Sequence, residues 1–212
     1  MSTGTKTDET GAASAPAKDA GKEMLAKYVG DMAALESHIE ESLDRQLGLT
    51  KKHELSGPLV REFHDMVRDQ RNQMIEMRDA LGSTPGNPIK EVGSNLLGKA
   101  AGVIDKVRSG AVSKALRDDY TAFNLAAISY TMLYTTAKSV GSDDVAKLAE
   151  KGLTNYASAV QKINQVIPEI VLSELADEEG MKVMPGIGDQ VRGMVNKAWK
   201  STDQSGSGSQ PA

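Results

Sequence analysis

Four long amphipathic segments follow one another along this chain of 212 residues, and they constrain the fold more than any other feature. In each segment the apolar residues recur every three or four positions, which places them along one face of an α-helix. The predicted helices cover about 21–48, 56–81, 111–140 and 143–175. Since such helices bury their apolar faces best against one another, the sequence predicts an all-α four-helix bundle.

Glycine, serine and proline mark the predicted helix ends. Gly48, Gly82 and Gly141 stand where a helix is expected to stop, because glycine readily takes the left-handed conformation there. The predicted N-caps of the second and fourth helices are Ser56 and Ser142. Pro168 has no amide proton and therefore predicts a kink, or an end to the regular part, in the fourth helix.

The segment 83–110 differs from the helices around it because it is rich in glycine. Each glycine costs a helix about 1 kcal/mol, so we expect a long helical crossover made of one or two short helices laid across the bundle. A crossover of this length can carry the chain back along the bundle. The second and third helices are therefore free to run parallel.

The rest of the chain is divided between tails and one short helix. Residues 1–20 and 201–212 are polar and predicted to be disordered tails, around a bundle at 21–176. Residues 177–200 are predicted to form a linker and a small basic amphipathic helix. We expect its apolar face to bind a partner, a second subunit or its own bundle through Ile187, Val191, Met194, Val195 and Trp199.

Composition excludes several classes of function. The net charge of −4 argues against binding of nucleic acid, and the absence of cysteine excludes disulfides and thiolate chemistry. There is no apolar run of about 20 residues, and the three basic residues of the last helix would add only about 1 kcal/mol each at an anionic surface. Membrane binding is therefore not expected, and we expect a cytoplasmic location.

Short sequence stretches resemble a known family. They are Ala127–Leu133, followed by Ala137, Gly141 and Leu148–Leu153, together with Leu81–Pro85. The stretches and the order of the helices resemble the YciE/YciF-like bacterial stress proteins of the ferritin-like superfamily. The resemblance implies a ferritin-like bundle, a role in stress and a homodimer formed through bundle faces.

The metal ligands that the resemblance implies are not matched. Ferritin-like metal centres take a Glu from each of two helices and a Glu-x-x-His pair from each of the others. The chain contains no Glu-x-x-His, and it has Phe123–Ala126 where the relatives carry Glu-His-Tyr-Glu. The other positions at which metal ligands are expected are occupied by Thr154–Tyr156 in the fourth helix and by Met66 and Gln70 in the second. We therefore expect no cofactor and no catalytic residue.

Five acidic and histidine residues are the remaining metal candidates. Positions two apart on a helix point in different directions, so neither Glu36 with His38 nor Glu62 with His64 can chelate one ion. Glu36 could still meet His64 or Asp65 across a helix pair, but the interpretation that we favour is a half-exposed polar flank making ordinary hydrogen bonds. The weak candidates for an atypical centre are Glu36, His38, His64, Asp65 and Glu150.

Tyrosine and methionine are predicted to fill the core. The tyrosines are expected to be core residues whose hydroxyl groups find partners, rather than redox groups. The methionines at helix-stripe positions are expected to provide adaptable packing, rather than a ligand pocket. These residues are Tyr120, Tyr130, Tyr134 and Tyr156, with Met24, Met32, Met66, Met74, Met77 and Met132.

Three functional hypotheses follow. The first is a metal-free ferritin-like bundle that acts as a structural or protein-interaction module. The second is a metal-binding oxidoreductase with an atypical centre. The third is a cargo or adaptor, which the tails and the last helix direct to a larger assembly.

Overall fold

The computed structural model describes residues 15–82 and 111–205, with side chains for 20–82 and 111–200. Within these ranges there are five helices and no strand, so the all-α prediction is confirmed. The predicted crossover at 83–110 and most of both predicted tails lie outside the described residues. The helices are α1 (Ala15–Thr50), α2 (Ser56–Ala80), α3 (Val112–Ser139), α4 (Asp143–Ala176) and α5 (Ile187–Ser205).

Contacts between side chains give the direction of α2 relative to α1. Glu36 of α1 contacts Gln70 of α2. Asp44, two turns later in α1, contacts His64, which precedes Gln70 in α2. Because the partners run in opposite order, α1 and α2 are antiparallel.

The same argument places α3 beside α1. Glu36 contacts Tyr130 of α3, and Gln46, further along α1, contacts Asp119, which comes earlier in α3. Helix α3 is therefore antiparallel to α1, just as α2 is. It follows that α2 and α3 run parallel, as the length of the predicted crossover allows, and that α2 ends at the opposite end of the bundle from the start of α3.

Helix α4 completes the bundle. Gln70 contacts Asn155, and Glu62, earlier in α2, pairs with Lys162, later in α4. Helix α4 is thus antiparallel to α2, and it also packs closely along α3. The order up, down, down, up, with a long connection between the two parallel helices, is the ferritin-like arrangement that the sequence predicts.

An aromatic column fills the middle of the core. Phe63 of α2 meets Phe123 of α3 edge to face, with ring centroids 5.0 Å apart. Tyr156 of α4 lies 5.4 Å from Phe123 and 5.9 Å from Tyr130. Such ring pairs add about 0.5–1.5 kcal/mol to the burial of their apolar area. The column therefore ties α2, α3 and α4 together at mid-height.

Several predicted helix ends need correction. Helix α1 begins at Ala15, earlier than predicted, and does not stop at Gly48: it continues to Thr50, whose buried hydroxyl donates to the carbonyl of Gln46. Ser56 is the first helical residue rather than a cap. Its backbone N–H donates to Nδ1 of His53 at 3.3 Å, so the side chain of a residue three positions earlier replaces the predicted serine cap.

Other helix ends agree with the sequence or modify it slightly. Gly82 and Gly141 follow α2 and α3 with φ of +77° and +75°, the left-handed region that glycine favours. Ser142 occupies the N-cap position of α4 but makes no side-chain capping bond. Helix α4 does not end at Pro168, because it continues to Ala176. Glu174 near that end accepts from the backbone N–H of Ser113 at 2.8 Å, which fixes the start of α3.

The predicted methionine positions are only partly correct. Met32 and Met74 are buried in the core, and Met66 and Met77 pack against it. Met24 and Met132 are about half exposed instead. Met24 lies beside the apolar stripe of α1, whereas Met132 lies on the outer side of α3, away from the buried residues of that helix.

Gly152 provides a test of the packing between α3 and α4. A Cβ atom at this position would lie 2.4 Å from atoms of the Tyr130 ring, which is itself held by a hydrogen bond to Glu36. We expect Gly152→Ala to reduce the free energy of unfolding by about 1–3 kcal/mol, because the ring cannot move away without breaking that bond. Urea denaturation measures the change.

Gly48→Ala is the matched control, since Gly48 is also helical and no atom lies within 4 Å of its added Cβ. Alanine has the higher helix propensity, so this variant should be unchanged or slightly more stable. Equal effects of the two substitutions would contradict the close packing of Tyr130 on Gly152.

Candidate functional site

A single carboxyl group lies at the centre of the bundle and contacts all three other long helices. Glu36 of α1 is fully buried. Tyr130 donates from its hydroxyl to Glu36 Oε1 at 2.5 Å, and Tyr156 donates to Oε2. Gln70 Nε2 donates to Oε1 at 3.2 Å, and Asn155 Nδ2 donates to Gln70 Oε1 at 2.6 Å. These five residues are called the Glu36 cluster below.

The burial of Glu36 corrects the prediction of a half-exposed polar flank. Met32, Glu36, Ile39 and Leu43 are spaced by four, three and four positions, so the glutamate lies within the buried stripe of α1. The spacing of these residues indicated that Glu36 is buried, but a glutamate is normally expected to be exposed. For Tyr130 and Tyr156 the prediction of core residues with partnered hydroxyls is confirmed.

Burial controls the protonation of the cluster. It raises the pKa of Glu36 to about 7, although the hydrogen bonds from Tyr130, Tyr156 and Gln70 act in the opposite direction. The nearby carboxylate of Glu40 adds a smaller upward effect. Burial, with the adjacent Glu36, also raises the pKa of both tyrosines well above the ordinary value. The phenols therefore remain hydrogen-bond donors.

A second buried carboxyl lies nearer the other end of the α1–α3 interface. Gln46 Nε2 donates to Asp119 Oδ1 at 2.7 Å, whereas Asp119 Oδ2 and Gln46 Oε1 are buried without a partner. Burial raises the pKa of Asp119 to about 7, the bond from Gln46 opposes this, and Asp118 adds to it. A proton on Asp119 would supply the donor that these two acceptors lack. Asp119 was missed from the sequence, although it follows Ala115 at the spacing of the buried face of α3.

The other acidic residues near the site lie at its margin, beside His64 and Arg71. Asp44 Oδ1 lies 2.9 Å from His64 Nε2, and Asp65 Oδ1 lies 3.6 Å from His64 Nδ1. Glu40 Oε1 is 4.0 Å from His64 Nε2, and Arg71 pairs with the other oxygen of Glu40. Arg71 thus supplies a positive charge beside the Glu40 carboxylate between α1 and α2.

The predicted metal candidates are not brought together as one group. Glu36 is at the centre, and His64 lies at the margin with Oδ1 of the exposed Asp65 3.6 Å from its Nδ1, whereas Glu150 is exposed and His38 is half-buried. In the described ranges no three histidine or acidic side chains are placed to hold one ion.

The chemistry of the Glu36 cluster also does not fit the metal pair of a ferritin-like centre. Hard divalent ions need several ionised oxygens, and a metal pair needs carboxylates from more than one helix. The cluster offers one carboxyl, both of whose oxygens accept tyrosine hydroxyls. Gln70 and Asn155 supply only neutral amides.

A family model agrees with the fold. Residues 21–176 match the model of a family described as a domain of unknown function, DUF892. The chain belongs to this family, which is ferritin-like. No significant similarity was found to any curated protein or to any solved structure. The DUF892 match ends where α4 ends, so α5 lies outside it.

Helix α5 packs on the later part of α4. Arg192 bonds Glu169 at 2.7 Å, and Gln165 donates to Asn196 at 2.7 Å. The predicted partner-binding residues divide into two groups. Ile187, Val191 and Val195 are half-buried, whereas Met194 and Trp199 are exposed. None of the helices within the described residues is long and apolar enough to cross a membrane.

The two buried carboxyls make the stability of the bundle depend on pH. Their folded-state pKa values of about 7 exceed the ordinary values of 4.5 and 3.8. The folded protein therefore keeps protons that the unfolded chain has lost between about pH 4 and pH 7. We expect the free energy of unfolding to fall as the pH rises through that window and to level off above it, as measured by urea denaturation across pH.

Amide substitutions identify the carboxyl groups that make the free energy of unfolding depend on pH. Glu36→Gln and Asp119→Asn remove the groups that titrate, so each should make the dependence shallower between about pH 4 and pH 7. Glu150→Gln, at an exposed position of α4, should leave it unchanged. If stability instead rises with pH across this window in the parent protein, these carboxyls are ionised in the folded state and the assignment is wrong.

Proposed function

We propose that this DUF892 protein is a metal-free ferritin-like bundle that acts as a structural or protein-interaction module rather than as an enzyme. The observation that supports this is the Glu36 cluster, which fills the space between the four long helices with hydrogen bonds among tyrosines, amides and one carboxyl. Each polar group there already has a partner within the chain.

The energetics of the cluster support the same conclusion. A metal ion at Glu36 would have to displace the hydroxyls of Tyr130 and Tyr156 and leave them buried without an acceptor. An unsatisfied buried donor costs about 1–3 kcal/mol, and the ion would gain only one carboxylate in return. The arrangement instead favours a rigid interior, since a fully satisfied polar network fixes one packing of the helices.

Within the family, we propose that the chain is similar to the YciE/YciF-like stress proteins, on the basis of Ala127–Leu133 and Leu148–Leu153. A role in bacterial stress, a homodimer and a cytoplasmic location go with this proposal. The exposed side chains of Met194 and Trp199 on α5 support binding of a further protein there, as a cargo or adaptor would require.

Metal content tests the proposal against the alternative of an oxidoreductase with an atypical centre. We expect protein expressed with added iron and manganese to retain far less than one ion per chain after gel filtration, as measured by elemental analysis. Glu36→Ala should leave that residual content unchanged, because Glu36 is not a ligand.

Glu150→Ala is the control for the same assay, since Glu150 lies on the exposed surface of α4. One or two ions per chain in the parent protein, lost in Glu36→Ala but kept in Glu150→Ala, would establish a metal centre at Glu36 and contradict the proposed function.

A further inference from the structure

The outer face of α3 has no charge along most of its length. From Tyr120 to Ala137 the helix contains no acidic, basic or histidine residue. In contrast, nearly every exposed position between 61 and 79 of α2 is charged. Because a helix face in contact with water normally carries charged residues, the face of α3 differs from an ordinary solvated surface.

Three large apolar side chains lie along this neutral face. Leu125, Ile128 and Met132 are 39%, 56% and 51% exposed. Their spacing of three and four residues places them in one row on the helix. The row is on the side of α3 away from the core residues Phe123, Tyr130 and Leu133.

The polar side chains around the row each donate a hydrogen bond to their own helix. Each donates to the backbone carbonyl four residues earlier, at distances from 2.7 to 3.1 Å. A polar group that keeps its hydrogen bond costs little to remove from water. The face can therefore be covered without breaking these bonds. The donors are Thr121, Asn124, Ser129, Thr131, Thr135 and Thr136.

We propose, on the premise of the interaction function given above, that the outer face of α3 is the surface through which two copies of this chain associate. The term α3 face is used below for the row Leu125, Ile128 and Met132 with the six polar residues around it.

Charge complementarity favours a second copy as the occupant. A partner rich in charge would have to desolvate its charged groups against a surface that offers them none, which is costly. A neutral face is matched by another neutral face, and a two-fold axis brings the same face of two copies together. The charged surface of α2 is not complementary to it.

The size of the face sets the strength of the association. Thr121 to Thr136 spans about 24 Å of helix, so the contact lies at the lower end of specific interfaces. The cores of such interfaces are depleted in charged residues, as this face is. We therefore expect a reversible dimer, whose population increases with protein concentration.

Sedimentation velocity across a concentration series tests the proposal, with the full chain in buffer containing a metal chelator. The parent protein should pass from monomer to dimer. Ile128→Glu places a charge at the centre of the α3 face and should weaken the association at least about tenfold, with an unchanged circular dichroism spectrum. Asn72→Glu adds the same charge to the exposed surface of α2 and should leave the association unchanged.

Thiol cross-linking locates the face independently. The chain has no cysteine, so single substitutions report on one position each. Leu125→Cys, Ile128→Cys and Met132→Cys should give covalent dimers with a short bismaleimide, whereas Asn72→Cys should not. These measurements do not depend on metal content, so the proposed dimer and the proposed metal-free bundle can be disproved independently of one another.

Three results would overturn the proposal. One is a parent protein that stays monomeric up to the highest concentration reached. Another is a dimer that Ile128→Glu and Asn72→Glu weaken equally. The third is an Ile128→Glu monomer that unfolds more readily than the parent monomer at equal dilution, which would mean that the face is covered within its own chain.

Discussion

The hydrogen bonds from the hydroxyls of Tyr130 and Tyr156 to the carboxyl of Glu36 are the interaction on which the rest of the bundle depends. They join α1 to α3 and to α4, and Gln70 extends the same cluster to α2. Because both tyrosine rings pack in the aromatic column and Tyr130 also packs against Gly152, the polar cluster and the apolar core fix one another. A carboxyl group can be buried at this depth because both of its oxygens have donors, and these hydrogen bonds oppose the rise in its pKa that burial causes.

The positions of the helices could be predicted from the sequence, because apolar spacing and terminal glycines report local structure directly. Their relative directions were predicted only as far as the length of the crossover allows α2 and α3 to run parallel. The site could be predicted only in part. Tyr130 and Tyr156 were identified as core residues with partnered hydroxyls, but their acceptor was not. Glu36 and Asp119 occupy stripe positions, yet a carboxylate at such a position is buried only if side chains distant in sequence supply donors. No local pattern contains that information.

Helix α3 contributes both to the buried carboxyl sites and to the proposed dimer surface. Its inner face supplies Tyr130 and Asp119 to the two buried carboxyl sites. Its outer face carries no charge from Tyr120 to Ala137. The same helix thus provides the polar contacts that organise the interior and the surface at which we propose that two copies meet. The fold is that of its ferritin-like family, whereas we propose that the Glu36 cluster at its centre serves as a structural network.

Anomalous X-ray scattering from crystals soaked in Fe²⁺ or Mn²⁺ tests the central claim most directly, because it locates a bound ion relative to individual side chains. The account predicts that no anomalous peak lies within bonding distance of Glu36, and that the hydroxyls of Tyr130 and Tyr156 remain on its carboxyl oxygens. A peak at Glu36, with one or both tyrosines displaced, would contradict it and would place a metal centre where we describe a closed hydrogen-bond cluster.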